Sequence, residues 1–177
     1  MGASPKPSRR YGATASSQSW TEYNGATAAT PTATRGESNW KNIDDSTTAY
    51  SASPVPAGAN SFGKYQALVF AGTWNSLSAL TYKIDSNAPA TGVTIVGSVV
   101  TAGVTPATTA TGDSAMSTTG VAANFNNSTT PYGAGTTSTT AGGTMYANAL
   151  RTQVQTTVSA APGDIASRTI TASWTES

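Results

Sequence analysis

The sequence contains no cysteine and no histidine. Without cysteine, a chain has no disulfide framework, no thiolate zinc site and no cysteine nucleophile. Without histidine, it lacks the commonest general base and the commonest protein ligand for transition metals. The G-x-S-x-G elbow and the glycine-rich phosphate loops are missing from the sequence as well. We therefore expect a protein that is not an enzyme, with no catalytic residues, no metal and no cofactor.

Charged and large apolar residues are also scarce. Only 10% of the residues are charged, where about 25% is typical of soluble proteins. The formal net charge is +1, and Leu, Ile, Val and Phe together number 22 of 177 residues. Low net charge argues against disorder, but so few large apolar residues predict a thin core. We expect further surface to be buried against other copies of the chain or another protein, and hence a homo-oligomer.

Two classes of partner are not expected. The near balance of nine basic and eight acidic residues gives no electrostatic field for nucleic acid. No apolar run approaches the roughly 20 residues of a membrane helix, and the N-terminus lacks the apolar core of a secretory signal.

The residues that are abundant are small and polar: 32 threonines, 30 alanines and 22 serines. In residues 1–60 they are mixed with proline, glycine and scattered aromatics. A flexible tail is one interpretation, but free tails rarely carry tryptophan. We prefer an extended N-terminal arm that contacts a partner through basic and aromatic side chains. The candidate interface residues are Arg9, Arg10, Trp20, Tyr23, Trp40 and Tyr50.

Residues 61–177 predict strands separated by Gly/Pro turns. Alternation in "LSALTYKI" places Leu80 and Tyr82 on one face, and "GVTIVGSVVT" is apolar on both. "MYANALRTQVQTTV" and "IASRTITASW" predict an antiparallel pair joined by "APGD", with a shared core face made of Leu150, Val154, Ile170 and Trp174. Residues 102–144 form a long polar Thr/Gly-rich insertion, which short strands such as 117–124 would interrupt. The expected fold is all-β, an antiparallel β-sandwich or jelly-roll-like barrel.

The densest polar stretch is "NWKNIDDSTTAY", residues 39–50. Adjacent residues of a strand point to opposite faces, so Asp44 and Asp45 cannot form a catalytic carboxylate pair there. Their oxygens could bind calcium, although the spacing of a known calcium loop is absent. We prefer a turn in which the aspartates bond to nearby backbone amides.

This stretch and its continuation resemble a family of tailed-bacteriophage virion structural proteins, over roughly residues 20–84 and 146–176. The closing segment "LRTQVQTTVSAAPGDIASRTITASW" resembles the last strand–turn–strand of those proteins. The matching pieces in the first part are Trp40-Lys41, Asp44-Asp45, Tyr50-Ser51, Pro54, Ala57-Gly58, Asn60-Ser61-Phe62, Lys64-Tyr65, Phe70, Gly72 and Asn75.

The resemblance implies a particle component assembled in the host cytoplasm and located in the virion. The leading hypothesis is a capsid cement or decoration protein, which binds the major capsid protein and stabilises the outer shell. One alternative is a neck or tail adaptor, or a fibre-attachment protein. Another is a glycan-binding β-sandwich for host attachment, with Trp20, Trp40 and Trp74 as stacking platforms.

Overall fold

The computed structural model of the chain describes residues 2–11, 19–22, 40–44, 50–103, 106–126, 131–140, 142–163, 165–166 and 168–177. These residues form strands and one short 3₁₀ turn, Tyr50–Ala52. In chain order the strands are β1 (Ala3–Tyr11), β2 (Ser19–Glu22), β3 (Lys64–Gly72), β4 (Ser76–Ile84), β5 (Val93–Val100), β6 (Val121–Ala122), β7 (Phe125–Asn126), β8 (Ser138–Thr140), β9 (Gly143–Ala147), β10 (Ala149–Thr156) and β11 (Ile170–Glu176). Every pairing between them is antiparallel. The predicted all-β fold is confirmed.

Sheet A is organised around β3. One edge of β3 pairs with β1, from Ala3↔Gly72 to Arg10↔Tyr65, and β2 continues the sheet beyond β1. The other edge is shared by β10 and β9, which are separated by a single residue, Asn148. Outside these two strands lie β5, which pairs with β10, and β7, which pairs with β9.

Strand β1 belongs to the sandwich although it lies in the predicted arm. Its two prolines pair with β3 as Pro5↔Phe70 and Pro7↔Leu68, whereas β2 pairs only with Ser8–Tyr11. Proline cannot donate to a strand ladder, so it fits where a strand has a neighbour on one side only. The boundary predicted at residue 60 therefore does not separate β1 from the sheet.

Sheet B is smaller, with β4 at its centre. Its strand order is β11-β4-β6, and β8 pairs with the start of β4 along the β6 side. A β-bulge in β4 places Ala79 and Leu80 opposite the single residue Trp174, because Thr81 pairs with Ser173 and Ser78 with Thr175. Ala79 takes a left-handed backbone conformation with φ of 55°. The extra residue lets Leu77 and Leu80 both face the core despite their odd spacing.

The core lies between the two sheets. Phe70 is at its centre and packs edge-to-face against Phe125 and Trp174, with ring centroids 5.5 and 5.3 Å apart. Leu150 and Val154 are buried as predicted. Ile170 and Trp174 point to the same core but are only half-buried, because β11 is an edge strand.

The predicted pairing of the last two long strands is wrong. β10 lies in sheet A and β11 in sheet B, so the "APGD" turn carries the chain from one sheet to the other. The error has a simple cause, since two strands that face one core from opposite sheets show the same alternation as two neighbours in a sheet.

The polar insertion contributes to this core as well. Met116, Ala123 and Phe125 are buried, and the Met116 N–H donates to the carbonyl of Ile95 at 2.9 Å. The strand expected near 117–124 is reduced to the two residues of β6. The described residues of the insertion therefore supply part of the hydrophobic core.

Candidate functional site

The stretch that begins at Trp40 lies against one end of the core. The Trp40 indole is half-buried and its Nε1 donates to Thr152 Oγ1 at 3.2 Å. Lys41 is fully buried, and its carbonyl accepts from the Phe62 N–H at 2.9 Å. These contacts attach the stretch to β10 and to the residues just before β3, so Trp40 is directed into the protein.

Asp44 forms a buried ion pair. Its Oδ1 lies 3.4 Å from Lys64 Nζ, and the two side chains are 4% and 1% exposed. Removing one member of such a pair leaves a buried charge and typically costs about 3–5 kcal/mol. Lys64 belongs to β3, so the pair ties the Trp40 stretch to sheet A. Asp45 lies outside the described residues, and the predicted turn, which rests on both aspartates, stays a prediction.

A second ionic cluster lies on the outer face of sheet A. Arg151 on β10 donates to Asp113 through Nε at 2.8 Å and Nη2 at 2.5 Å. Ser98 Oγ on β5 donates to the same carboxylate at 2.7 Å. Burial alone would raise the pKa of Asp113, but hydrogen bonds from Arg151, Ser98 and Thr111 and the charge of Arg151 lower it below its usual value. Hydrogen bonding to Asp113 raises the pKa of Arg151.

Gln153, two residues along β10, bonds to the same part of the polar insertion, residues 106–113, which we call the covering segment. Its Nε2 donates to the carbonyls of Ser61 and Thr109, each at 2.9 Å. Its Oε1 accepts from the Thr111 N–H at 3.3 Å and from Gln155 Nε2 at 2.9 Å. One fully buried side chain therefore fixes a segment that has no strand of its own.

A shallow cleft opens beside this cluster, with a volume of about 160 Å³. The Arg151 guanidinium reaches it but is already bidentate to Asp113. The cleft is thus a gap beneath a covering segment. Its lining residues are Gly63, Tyr65, Pro106, Ala107, Thr109, Thr111 and Arg151.

The break between β9 and β10 is stabilised by a buried amide network. The Asn148 side chain accepts from Asn126 Nδ2 and donates to the Gly133 carbonyl at 3.0 Å. The Tyr82 hydroxyl donates to the Asn148 carbonyl at 3.3 Å, and burial raises the pKa of this phenol. Asn148, like Gln153, was missed because a polar residue in a Thr-rich strand gives no sign that a loop will cover it.

Three loops meet at the end of the sandwich where β10 stops: residues 54–59, 88–92 and 157–163. The Thr157 N–H donates to the Gly92 carbonyl at 2.8 Å, and the Gly58 N–H donates to the Thr157 carbonyl at 3.0 Å. The Thr156 hydroxyl adds a bond of 2.9 Å to the Pro56 carbonyl. We call this surface the neutral tip, because none of its residues is charged.

The neutral tip presents apolar side chains to solvent. Val158 is 89% exposed and stands against Gly58, where a β-carbon would lie 2.9 Å from Val158 Cγ1. Pro54, Pro56 and Pro162 are exposed around it. An exposed apolar group on loops tied together by backbone hydrogen bonds is a surface suited to contact with another protein.

The predicted interface residues are only partly brought together. Arg9 and Arg10 lie in β1 and Trp20 lies in β2, with Arg10 directly opposite Trp20. Tyr50 begins the 3₁₀ turn. Tyr23 falls outside the described residues.

Trp74, a candidate stacking platform, is only 7% exposed. Its Nε1 is buried without a hydrogen-bond partner among the described residues. Trp74 therefore presents no face to a glycan, and that part of the glycan hypothesis is wrong.

The described residues contain no group of three or more Asp or Glu side chains placed to hold a metal ion. None of the helical structure in this part of the chain has the length and apolar character to cross a membrane. No family model, no curated protein and no solved structure matches the chain.

Proposed function

We propose that this chain is a structural protein of a tailed-phage particle, and specifically a cement or decoration protein that binds the outer surface of the capsid shell. The observation that carries the proposal is the neutral tip, an uncharged surface that exposes Val158 and three prolines on loops joined by backbone hydrogen bonds. The motif resemblance between residues 40 and 75 supports the particle assignment. The proposed partner is the major capsid protein, and the proposed location is the virion.

The tip suits a contact repeated many times on a shell. Charged residues are depleted from the centres of protein–protein interfaces, and a preorganised surface loses little conformational entropy on binding. Exposed Val158 would supply the central apolar contact, with the surrounding prolines adding rigid surface. Weak contacts of this kind gain avidity when several copies bind the shell and one another.

The test of the tip is the incorporation of Val158→Asp into particles. Val158 is 89% exposed, so the change should leave unfolding unaltered within about 0.5 kcal/mol. It should nevertheless reduce the protein bound to particles at least tenfold, because a charge would be desolvated in the contact. The control is Thr137→Asp. Thr137 is exposed and precedes β8, and β8 pairs with the start of β4, at the end of that strand away from the tip. Equal incorporation of both variants would refute the tip as the contact surface.

The position in the virion is tested by copy number. Quantified protein from purified particles should give hundreds of copies for a shell component. A dozen or fewer would refute the cement assignment and favour the neck or tail alternative.

A further inference from the structure

The backbone groups on the outer edge of β11 pair with no described strand. Among the described residues, β11 is the last strand of sheet B and pairs only with β4. The Asp85 N–H donates to the Thr169 carbonyl at 3.1 Å, so the odd-numbered residues of this segment bond towards β4. The Ile84 N–H points the other way, to the Ser117 carbonyl at 3.0 Å. The N–H and C=O groups of Ile170, Ala172 and Trp174 therefore face outwards from the sheet edge.

The sequence of β11 lacks two of the common protections against edge-to-edge pairing, lysine and proline. Natural edge strands are shielded by lysine, by proline or by an irregular course. Between Ile170 and Glu176 the sequence is ITASWTE, with no lysine or proline. By contrast, the outer edge of β5 in sheet A is partly covered, since Val96 bridges to Ala115 and the Gly97 N–H donates to the Ser114 carbonyl.

We propose that two copies of this chain pair through β11, antiparallel and about a two-fold axis, so that the two B sheets become continuous. The inference stands on the edge itself and does not depend on the particle assignment. A two-fold interface uses the same patch twice, so the strand must be complementary to itself.

The side chains select the register. Two antiparallel registers pair all three of the outward-facing residues with outward-bonding residues inside Ile170–Glu176, one centred on Ala172 and one on Ser173. Centring on Ala172 places Ile170 opposite Trp174, an aromatic–β-branched pair that stabilises sheets. It also places Arg168 opposite Glu176, at both ends of the interface. Centring on Ser173 would instead place Ile170 opposite the charged Glu176, so we assign the Ala172 register.

Both charged residues can accept the new contact. Glu176 Oε1 accepts from the Ala3 N–H at 2.9 Å, and Arg168 Nε lies 3.9 Å from Asp85 Oδ1. A carboxylate has about four lone-pair sites and a guanidinium five N–H donors, which leaves capacity on each. The outer faces would pair Thr171 with Ser173, both of which are exposed.

The first test compares oligomeric state by sedimentation equilibrium and native mass spectrometry. Wild type should be a dimer, and Ala172→Pro should weaken it by about tenfold or more, because the central pair loses its donors. The proline nitrogen would face the open edge, so pairing with β4 should survive. The matched control Ala172→Ser keeps the N–H and should remain dimeric. A monomeric wild type at about millimolar concentration, or an Ala172→Pro variant that dimerises normally, would overturn the proposal.

Charge reversal tests the ends of the interface and remains informative if the proline variant misfolds. Arg168→Glu and Glu176→Arg should each weaken the dimer, and the double variant should restore it. Failure of the double variant to recover, with its far-UV circular dichroism unchanged, would overturn the proposed contact.

Cross-linking tests the register. Because the sequence has no native cysteine, any disulfide must form between the introduced residues. A mixture of Thr171→Cys and Ser173→Cys proteins should form the mixed disulfide under mild oxidation. Each variant alone should cross-link poorly, since like positions would be offset by two residues. Efficient self-linking of Ser173→Cys would overturn the Ala172 register.

Discussion

The outer faces of the two sheets have the same kind of sequence but different surroundings. On sheet B, Thr171, Ser173 and Thr175 alternate with half-buried residues and are exposed. On sheet A, Arg151 and Gln153 alternate with Leu150 and Val154 in the same way. Gln153 is nevertheless fully buried, because a segment of the polar insertion crosses above it.

The difference lies in the reach of the side chains. A crossing segment without a strand of its own must have its backbone carbonyls and N–H groups satisfied, or the burial is costly. Gln153 and Arg151 are long enough to reach the segment and carry several donors or acceptors. The short hydroxyls of β11 can bond only close to their own backbone. The covered face of β10 therefore differs from the outer face of β11 in carrying side chains that bond to the crossing segment.

Gln153→Leu should disrupt the packing of the covering segment on sheet A more strongly than any other change. The change keeps the volume but leaves the Ser61 and Thr109 carbonyls and the Thr111 N–H without their partner. The bond to Ser61 is buried and the bonds to Thr109 and Thr111 are partly buried. An orphaned buried group costs about 1–3 kcal/mol, so we expect a loss of about 3 kcal/mol in urea unfolding.

The matched change on sheet B is Thr171→Val, which also exchanges a polar group for an apolar one of equal size. It should alter stability by less than about 0.5 kcal/mol, because Thr171 is exposed. Similar losses of unfolding free energy in the two variants would mean that the outer faces of the two sheets are equally exposed to solvent.

Asp113→Asn should also weaken the attachment of the covering segment to sheet A, but less than Gln153→Leu does. The amide keeps the shape but removes the charge that holds Arg151, whose contacts of 2.8 and 2.5 Å form a bidentate pair. We expect a loss of about 2 kcal/mol, since a hydrogen bond to a charged group contributes about 1.5–3 kcal/mol. Amide exchange of residues 106–113 should accelerate in the variant. Unchanged exchange there would show that the ion pair does not hold the segment.

Acid should lower the stability of the protein by protonating Asp113 on the covered face of sheet A. Its pKa is lower in the folded protein than its ordinary value of 3.8. The corresponding stability is fully present above the ordinary pKa and is lost as the pH falls through the folded one. Comparing urea unfolding at pH 7 and near pH 3, wild type should lose more stability than Asp113→Asn. An equal loss in both proteins would exclude Asp113 as the acid-sensitive group.

The alternation of apolar residues predicted the strands of the core and the all-β class. Leu80, Tyr82, Leu150 and Val154 face inward as expected. Alternation reports only which face a residue lies on, however, and two sheets that share a core give the same signal. For this reason the sequence could not distinguish β11 beside β10 from β11 in the opposite sheet.

The candidate site was predicted less well than the core. For the Asp44 stretch the sequence predicted bonds to nearby backbone amides, whereas the ion-pair partner of Asp44 is Lys64, which lies in β3. Asp113 and its partner Arg151 also lie far apart in the sequence, at a separation of 38 residues. Such partners are brought together by the fold, and a single sequence carries no pattern that joins them. The neutral tip has one signal in the sequence, because its three loops come from stretches without any charged residue.

The smallest expected effect sharpens the comparison within sheet B, at the bulge that lets Leu77 and Leu80 share one face. Ala79 is exposed and has a φ of 55°, a conformation that costs a residue with a β-carbon about 1–2 kcal/mol. Glycine removes that cost but loses roughly 0.5–1 kcal/mol more conformational entropy on folding. Ala79→Gly should therefore stabilise the protein by about 0.5 kcal/mol. The control is Ala122→Gly, an exposed alanine of β6 in the same sheet with ordinary strand geometry, which should destabilise by about 0.5–1 kcal/mol because only the entropy changes. Opposite signs in thermal unfolding would support a strained bulge, whereas destabilisation of similar size in both variants would contradict the left-handed conformation of Ala79.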